Sequence, residues 1–171
     1  KKIADYYQKL AVKNKEDKYS KELCYLEGKD REDYLHDMNI AQEYAKLNRE
    51  VMGESITREI LDKSLSKFKY FHTIHNYIDF KDNITRKGAI SAYKNEILLI
   101  PINMRDGSLI ARGKGNKEWN YSAPHGAGRV MSRKMASDEG SLVEFKKAME
   151  GIYSTSVHKG TLDESPFAYK S

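Results

Sequence analysis

The sequence predicts an α+β protein in which N-terminal helices precede a mainly antiparallel β region and further helices. Apolar residues recur at helical spacing up to Phe68, short aromatic and β-branched runs follow, and helical spacing returns near Arg129. The 171 residues are the length of one domain. We therefore predict a single domain portion over 1–171, with a helical part (1–68) and a β-rich part (69–171).

Three apolar stripes predict the N-terminal helices. The charged stretch Lys13–Ser20 ends the first helix, and Asp30 is placed to cap the second. Gly53 followed by Ser55 predicts a break before the third helix. The stripes are formed by Ile3, Tyr6, Tyr7, Leu10 and Ala11, then by Tyr34, Met38, Ala41 and Ala45, and last by Ile56, Ile60, Leu61 and Leu65.

The β region is predicted from runs bounded by Gly, Asn or Asp. Two helices follow it, over Arg129–Ala136 and Ser141–Ile152, and no element is predicted after Tyr153. The predicted strands are Phe71–Phe80, Ala89–Tyr93, Ile97–Ile102 and Ser108–Arg112.

The composition excludes several classes of protein. With 39% apolar and 32% charged residues and one cysteine, the chain is neither a membrane protein, nor a secreted disulfide scaffold, nor a disordered tail. The single Cys24 favours a reducing compartment, and we expect a cytoplasmic protein.

Positive charge is concentrated in the middle of the chain. Residues 81–134 contain 11 basic and 4 acidic side chains, whereas the charges of residues 1–68 cancel. This imbalance favours an anionic partner, either nucleic acid or a nucleotide phosphate. A solvated basic face is the alternative.

The strongest local motif is His125-Gly126-Ala127-Gly128-Arg129, which precedes a predicted helix. Glycines allow close backbone approach to a phosphate, while Arg129 and Arg133 add positive charge. A neutral imidazole of His125 there can attack phosphorus. A tight turn with an exposed histidine that binds nothing is the alternative.

Two further clusters hold candidate site residues. In a strand, His72 and Asn76 would share one face and His75 would lie on the other, so His72 and His75 would not bind one metal. His75 alone is therefore the metal-ligand candidate, and a packed or surface histidine is the alternative. Trp119 and Tyr121, beside asparagines, can stack on a nucleic-acid base or form the edge of a core.

Together these residues resemble the RtcB-type RNA-splicing ligases, which are 3′-phosphate/5′-hydroxyl RNA ligases. The resemblance covers nearly the whole chain, including 4–11, 41–49 and 162–170. Its central segments are His75–Tyr77, Thr85–Ala92, Ile100–Pro101, Met104, Ser108, Arg112–Asn116 and His125–Arg133.

The resemblance implies an RNA ligase that uses GTP and Mn²⁺. It would join 3′-phosphate or 2′,3′-cyclic phosphate ends to 5′-hydroxyl ends. A guanylated histidine passes GMP to the RNA 3′-phosphate, and the 5′-hydroxyl of the second fragment then displaces the GMP. The RNA would be tRNA halves or broken RNA, and the need for an activating protein partner stays open. By resemblance, the nucleophile is His125 and the metal ligand is His75; the nucleotide contacts are Asn76, Pro101, Met104, Ser108, His125, Gly126, Ala127 and Gly128; the RNA contacts are Arg86, Lys87, Arg129 and Arg133.

This chain departs from the family pattern in two ways that bear on the activity we expect of it. Where the family reads Gly-Ser-Met-Gly after the proline, this chain has Ile102-Asn103-Met104-Arg105, which restricts the backbone and adds bulk near the nucleotide. The resemblance also leads us to expect that this chain is the central-to-C-terminal portion of such a ligase, without the N-terminal half that carries further metal ligands. We therefore expect the isolated chain to be weak or inactive, and a non-catalytic module that binds RNA or nucleotide is the alternative.

Overall fold

The computed structural model describes residues 2–15 and 19–170 and contains two compact units, which divide between Lys69 and Tyr70. The first unit is built from helices, and the second combines β-strands with short helices. This confirms the predicted α+β class. That the two units form one domain stays a prediction.

The first unit contains α1 (Lys2–Lys15) and α2 (Gly28–Leu61), with single 3₁₀ turns at Lys21–Leu23 and Leu65–Lys67. Residues 16–18, which belong to the charged stretch predicted to end the first helix, lie outside the described residues. The buried Tyr7 ring lies edge-on to Tyr34 with centroids 5.2 Å apart, and its hydroxyl donates to Asp37 at 2.9 Å. These contacts pack α1 against the first part of α2.

The predicted break at Gly53 is wrong, because α2 continues through it. It also begins at Gly28, before the predicted Asp30 cap. A Cβ on Gly53 would lie 3.1 Å from a methyl carbon of Leu65, so the glycine leaves space for the chain that folds back after the helix. That return is held by the Glu54 carboxylate, which accepts from the Leu65 N–H at 2.7 Å.

The contact between Glu54 and Leu65 is expected to weaken in acid. The hydrogen bond from the Leu65 backbone, with further help from Arg58, lowers the pKa of Glu54 below its ordinary 4.5. Because the folded state favours the carboxylate, the contact is fully present above pH 4.5 and is lost as the pH falls through the lowered pKa. The chemical shift of the Leu65 amide proton should therefore titrate with a midpoint below 4.5.

The control for this titration is Glu54→Gln, which should abolish it. A midpoint at or above 4.5 in the native chain, or the same titration in the variant, would contradict the prediction.

The strands of the second unit form two antiparallel sheets. A three-stranded sheet has the order β1 (His75–Asp79), β2 (Ile84–Ser91), β5 (Ser122–Pro124), while β3 (Ile97–Asn103) and β4 (Gly107–Arg112) form a hairpin. This confirms the antiparallel prediction for these strands.

The first strand, His75–Asp79, is shorter than the predicted Phe71–Phe80, and His72 lies before its first residue. Asn76 has φ 57° where the pairing with β2 shifts register. Strand alternation therefore does not place His72 and Asn76 on one face, as the sequence predicts.

Two apolar clusters hold the second unit together. Ile90, Ala92 and Leu98 join β2 to β3, and Phe145, Met149 and Leu162 join the last helices to the tail. The helices are α3 (Arg133–Glu139) and α4 (Leu142–Ala148), followed by 3₁₀ helices at Lys159–Glu164 and Pro166–Ala168.

These bounds correct the sequence prediction at three points. The helix predicted from Arg129 begins only at Arg133, where the Ser132 hydroxyl caps it by accepting from the Met135 N–H at 3.1 Å. The helix predicted to reach Ile152 ends at Ala148. The tail, for which no element was predicted, contains the two 3₁₀ helices. Among the described residues, no helix is both long and apolar enough to cross a membrane.

Candidate active site

A cleft of about 510 Å³ in the second unit brings most of the predicted site residues together. Its walls are the β3–β4 hairpin, the segment that follows β5, and the tail. The predicted residues among its lining are Pro101, Met104, Ser108, His125, Gly126, Ala127, Gly128, Arg129 and Arg133.

His125 lies at this cleft beside the other predicted histidine, His75. Their ring centroids are 5.2 Å apart, with 31° between the planes. Partial burial of the ring, and secondarily the charge of His75, lower the pKa of His125. The neutral imidazole is therefore favoured, and this is the form that can act as a nucleophile.

Asn76 shapes the backbone that faces His125. Its side-chain oxygen accepts from the Gly88 N–H at 3.0 Å. A Cβ on Gly88, which has φ 72°, would lie 3.6 Å from Nε2 of His125. Asn76 thus holds a close neighbour of the histidine, and its contact with a nucleotide stays a prediction.

The glycine loop after His125 is held from two sides. The Ala127 N–H donates to the Pro101 carbonyl at 3.2 Å, and the Gly128 carbonyl accepts from the Lys170 N–H at 3.1 Å. Within the described chain, the N–H groups of Gly126 and Gly128 have no protein acceptor, so these two donors are available to a phosphate. The loop does not open a helix, because α3 begins further along the chain.

Arg129 and Arg133 are bound to groups of the tail. The Arg129 guanidinium donates to the Tyr169 hydroxyl at 3.0 Å and lies 4.8 Å from the centroid of that ring. Arg133 donates to the Asp163 carboxylate at 2.6 Å and also to Glu164. Both arginines organise the tail, and their contacts with RNA stay predictions.

Arg86, which the resemblance predicts to contact RNA, is buried and bonded within the protein. Arg86 is 2% exposed, and it donates to the Asp79 carboxylate at 2.6 Å and to the Tyr77 hydroxyl at 3.1 Å. A third bond, to the Ser122 hydroxyl at 3.0 Å, reaches β5. Arg86 therefore joins the three strands of one sheet, while its neighbour Lys87 is exposed.

The family follows from comparison with known proteins. A family model described as tRNA-splicing ligase RtcB matches residues 1–171. The chain belongs to the RtcB family. This confirms the resemblance seen in the sequence.

Two relatives from the RtcB family come from Escherichia coli. The chain is 34% identical to RNA-splicing ligase RtcB1, and the match covers 98% of this chain and 46% of the relative. It is 32% identical to RNA-splicing ligase RtcB of strain K12 with the same coverage. It is 27% identical to tRNA-splicing ligase RtcB of Archaeoglobus fulgidus over 85% of this chain and 37% of the relative. The chain thus spans less than half the length of these relatives.

The segment that departs from the RtcB family pattern is a closed turn. The Asn103 side-chain oxygen accepts from the N–H groups of Arg105 (3.0 Å) and Asp106 (2.9 Å). Arg105, and then Asn103, lower the pKa of Asp106 to about 2. Met104 packs against the apolar cluster around Phe145. Of the residues that differ from the family pattern, Ile102 and Asn103 line the cleft, whereas Arg105 forms an ion pair with Asp106 within the turn.

The described residues do not fit a complete Mn²⁺ site. No group of three or more His, Cys, Asp or Glu side chains lies close enough together there to hold a metal ion. His125 lines the cleft and His75 lies beside it, and manganese prefers oxygen ligands. His75 can supply one ligand.

Sequence reasoning missed the contribution of the tail to the cleft, where Glu164 and Tyr169 form part of the wall. The sequence did contain one signal of a 3₁₀ helix, because Leu162, Ser165 and Ala168 are spaced three residues apart. In the structure these three residues are 3%, 0% and 0% exposed.

Proposed function

We propose that this chain is the histidine-bearing part of an RNA ligase that joins 3′-phosphate or 2′,3′-cyclic phosphate ends to 5′-hydroxyl ends in tRNA splicing or RNA repair. The observation that supports this most is the position of His125. It has a lowered pKa and lies at a cleft of about 510 Å³ beside two free N–H groups, in a chain of the RtcB family. A cleft of this size is suited to a nucleotide.

In the proposed reaction, His125 attacks the α-phosphorus of GTP with a neutral ring nitrogen. The nitrogen–phosphorus bond forms as the bond to the bridging oxygen breaks, and pyrophosphate leaves with the electron pair. The imidazole loses its ring proton to solvent. A 2′,3′-cyclic phosphate end would first be opened by water to a 3′-phosphate. An oxygen of the RNA 3′-phosphate then takes the GMP from His125 as the nitrogen–phosphorus bond breaks. The 5′-hydroxyl of the second RNA end attacks the activated 3′-phosphate, the new phosphodiester forms, and GMP leaves.

The supporting residues have separate proposed roles. The N–H groups of Gly126 and Gly128 would bind phosphate oxygens, and the exposed Lys87 would contact the RNA backbone. Mn²⁺ remains part of the proposal, with His75 as the ligand that this chain supplies.

Labelling with α-³²P-GTP tests the proposal. The chain is incubated with GTP and Mn²⁺, alone and together with the portion of the Escherichia coli relative that it does not match. We expect an acid-labile, alkali-stable label on the chain, because a phosphoramidate has this stability. His125→Ala should abolish the label.

The matched control is His72→Ala, which removes a histidine that does not line the cleft. It should leave the label intact. The proposal fails if neither mixture is labelled, or if His125→Ala is labelled as strongly as the native chain.

The alternative is a module that binds RNA without catalysis. It is favoured by exposed cations in the second unit that have no ion pair within the described residues, such as Lys87 and Lys114. RNA binding that persists in His125→Ala, with no labelling of the native chain, would establish this alternative.

A further inference from the structure

A second groove, of about 430 Å³, lies in the same unit and shares no lining residue with the cleft at His125. Its apolar lining includes Leu98, Ile100, Ala111 and Ala123. Trp119 also lines it and is 68% exposed. None of the residues proposed above for nucleotide or metal binding forms part of this groove.

The exposed position of Trp119 is set by a well-bonded backbone. Asn116 caps the short 3₁₀ helix Lys117–Trp119 by accepting from the Glu118 N–H at 2.9 Å. The Tyr121 N–H donates to the Asn116 carbonyl at 2.9 Å, and the Tyr121 carbonyl accepts from the Ala92 N–H at 2.6 Å. The backbone that carries the indole is therefore ordered before any ligand binds, which lowers the entropic cost of binding.

Tyr121, the other aromatic residue of this segment, already has a stacking partner within the protein. Its ring is stacked on Tyr93, with centroids 5.1 Å apart and 23° between the planes. Among the ring pairs of the described residues, Trp119 has no partner. The face of the indole is thus open for stacking.

Unpaired positive charge surrounds the groove. Arg112 and Lys114 line it, Lys94 lies against Gly115, and Lys117 precedes Trp119 by two positions. In the described part of the chain none of these four cations has an ion pair, in contrast to Arg129 and Arg133.

Two carboxylates lie nearby. Glu96 accepts hydrogen bonds from Ser91 (2.6 Å) and from the Tyr93 N–H (2.9 Å), and Glu118 adjoins Trp119. The balance around the groove is positive, which complements a phosphate backbone.

We propose that this groove binds single-stranded RNA, with a base stacked on Trp119 and the adjoining phosphates at Arg112 and Lys114. An aromatic face beside unpaired cations is the chemistry that recognises unpaired nucleotides. The inference rests on the proposed function, since an RNA ligase must hold RNA next to its reactive group. Ser122–Pro124 line the groove, and the next residue is His125, so RNA bound here lies on the approach to the histidine.

Fluorescence tests the proposal directly, because Trp119 is the single tryptophan of the chain. Titration with a short single-stranded oligoadenylate should quench its emission. In an anisotropy assay with labelled oligoadenylate, Trp119→Ala should bind about tenfold more weakly, the expected loss of one stacked base. Trp119→Phe should recover most of the affinity.

The matched control is Tyr153→Ala, which removes an aromatic side chain that is 94% exposed and lies outside both cavities. It should bind RNA as the native chain does. His125→Ala should also show native quenching, and Trp119→Ala should still be labelled by GTP, so the groove and the nucleophile are tested separately.

Three results would overturn the inference. One is oligoadenylate binding without a change in Trp119 emission, or with equal affinity in Trp119→Ala. Another is the absence of RNA binding. The third is an emission shift that depends on protein concentration alone, with a dimer in sedimentation; this would assign the groove to a second copy of the chain.

Discussion

Replacing Arg86 by methionine is expected to lower the free energy of unfolding of the second unit by about 3–5 kcal/mol. The substitution keeps much of the side-chain volume but removes the partner of Asp79, whose side chain is 11% exposed. Burial raises the pKa of Asp79, yet hydrogen bonds from Arg86 and Tyr93 bring it below its ordinary value. Without the guanidinium, a largely buried carboxylate is left with fewer donors, and strand β5 loses the side-chain hydrogen bond that Ser122 accepts from Arg86.

Urea denaturation measured by circular dichroism tests this, with Lys87→Met as the matched control. Lys87 is the next residue of the same strand and is exposed, so its replacement should change stability by less than about 0.5 kcal/mol. Asp79→Asn added to Arg86→Met should cost less than the two single substitutions together, because they act on one ion pair. Equal stability of Arg86→Met and Lys87→Met would refute the structural role.

Gly113→Ala is expected to destabilise the second unit by about 3 kcal/mol or more. A Cβ there would lie 2.2 Å from the Tyr93 carbonyl oxygen and 2.6 Å from the carbonyl carbon of Ala92. The backbone cannot withdraw easily. The Gly113 N–H donates to the Glu96 carbonyl at 2.8 Å, and its own carbonyl accepts from the Asn95 N–H at 2.9 Å.

Gly151→Ala is the matched control for this clash. Gly151 has φ 80° and open space around the added carbon, so alanine there incurs only the left-handed backbone cost of about 1–2 kcal/mol. Thermal unfolding of the two variants separates the effects. A Gly113→Ala protein as stable as Gly151→Ala would show that the Tyr93 backbone can move aside.

Local pattern in the sequence was sufficient for much of the fold. Apolar stripes at helical spacing located α1 and α2, because burying one face of a helix selects that spacing. Aromatic and β-branched runs located the hairpin, but they found only the end of the central strand, which begins at Ile84 and not at the predicted Ala89. The failure at Gly53 has a tertiary cause, since its space is filled by Leu65. A glycine that makes room for a packed side chain cannot be told, by composition, from one that ends a helix.

The sequence predicted which residues group at the candidate site, but it did not predict the partners of the arginine side chains. The grouping of His125, Gly126 and Gly128 could be read from adjacent positions. The pairing of Arg133 with Asp163 joins residues 30 positions apart, and that of Arg86 with Ser122 joins residues 36 apart. An arginine has the same appearance in a sequence whether its charge faces solvent or a distant carboxylate.

The contacts between the tail and the histidine loop have a consequence for biosynthesis. Arg129 binds the hydroxyl of Tyr169, which is 40 positions later in the chain, and the Gly128 carbonyl accepts from the Lys170 amide. Neither contact can form until the ribosome has added these residues. At about 5–20 residues per second, a ribosome takes about 2–8 s to add that stretch. During that interval the nascent loop has only one of its two backbone hydrogen bonds, the one from Ala127 to the Pro101 carbonyl. The loop after His125 is completed when Tyr169 and Lys170 have been added.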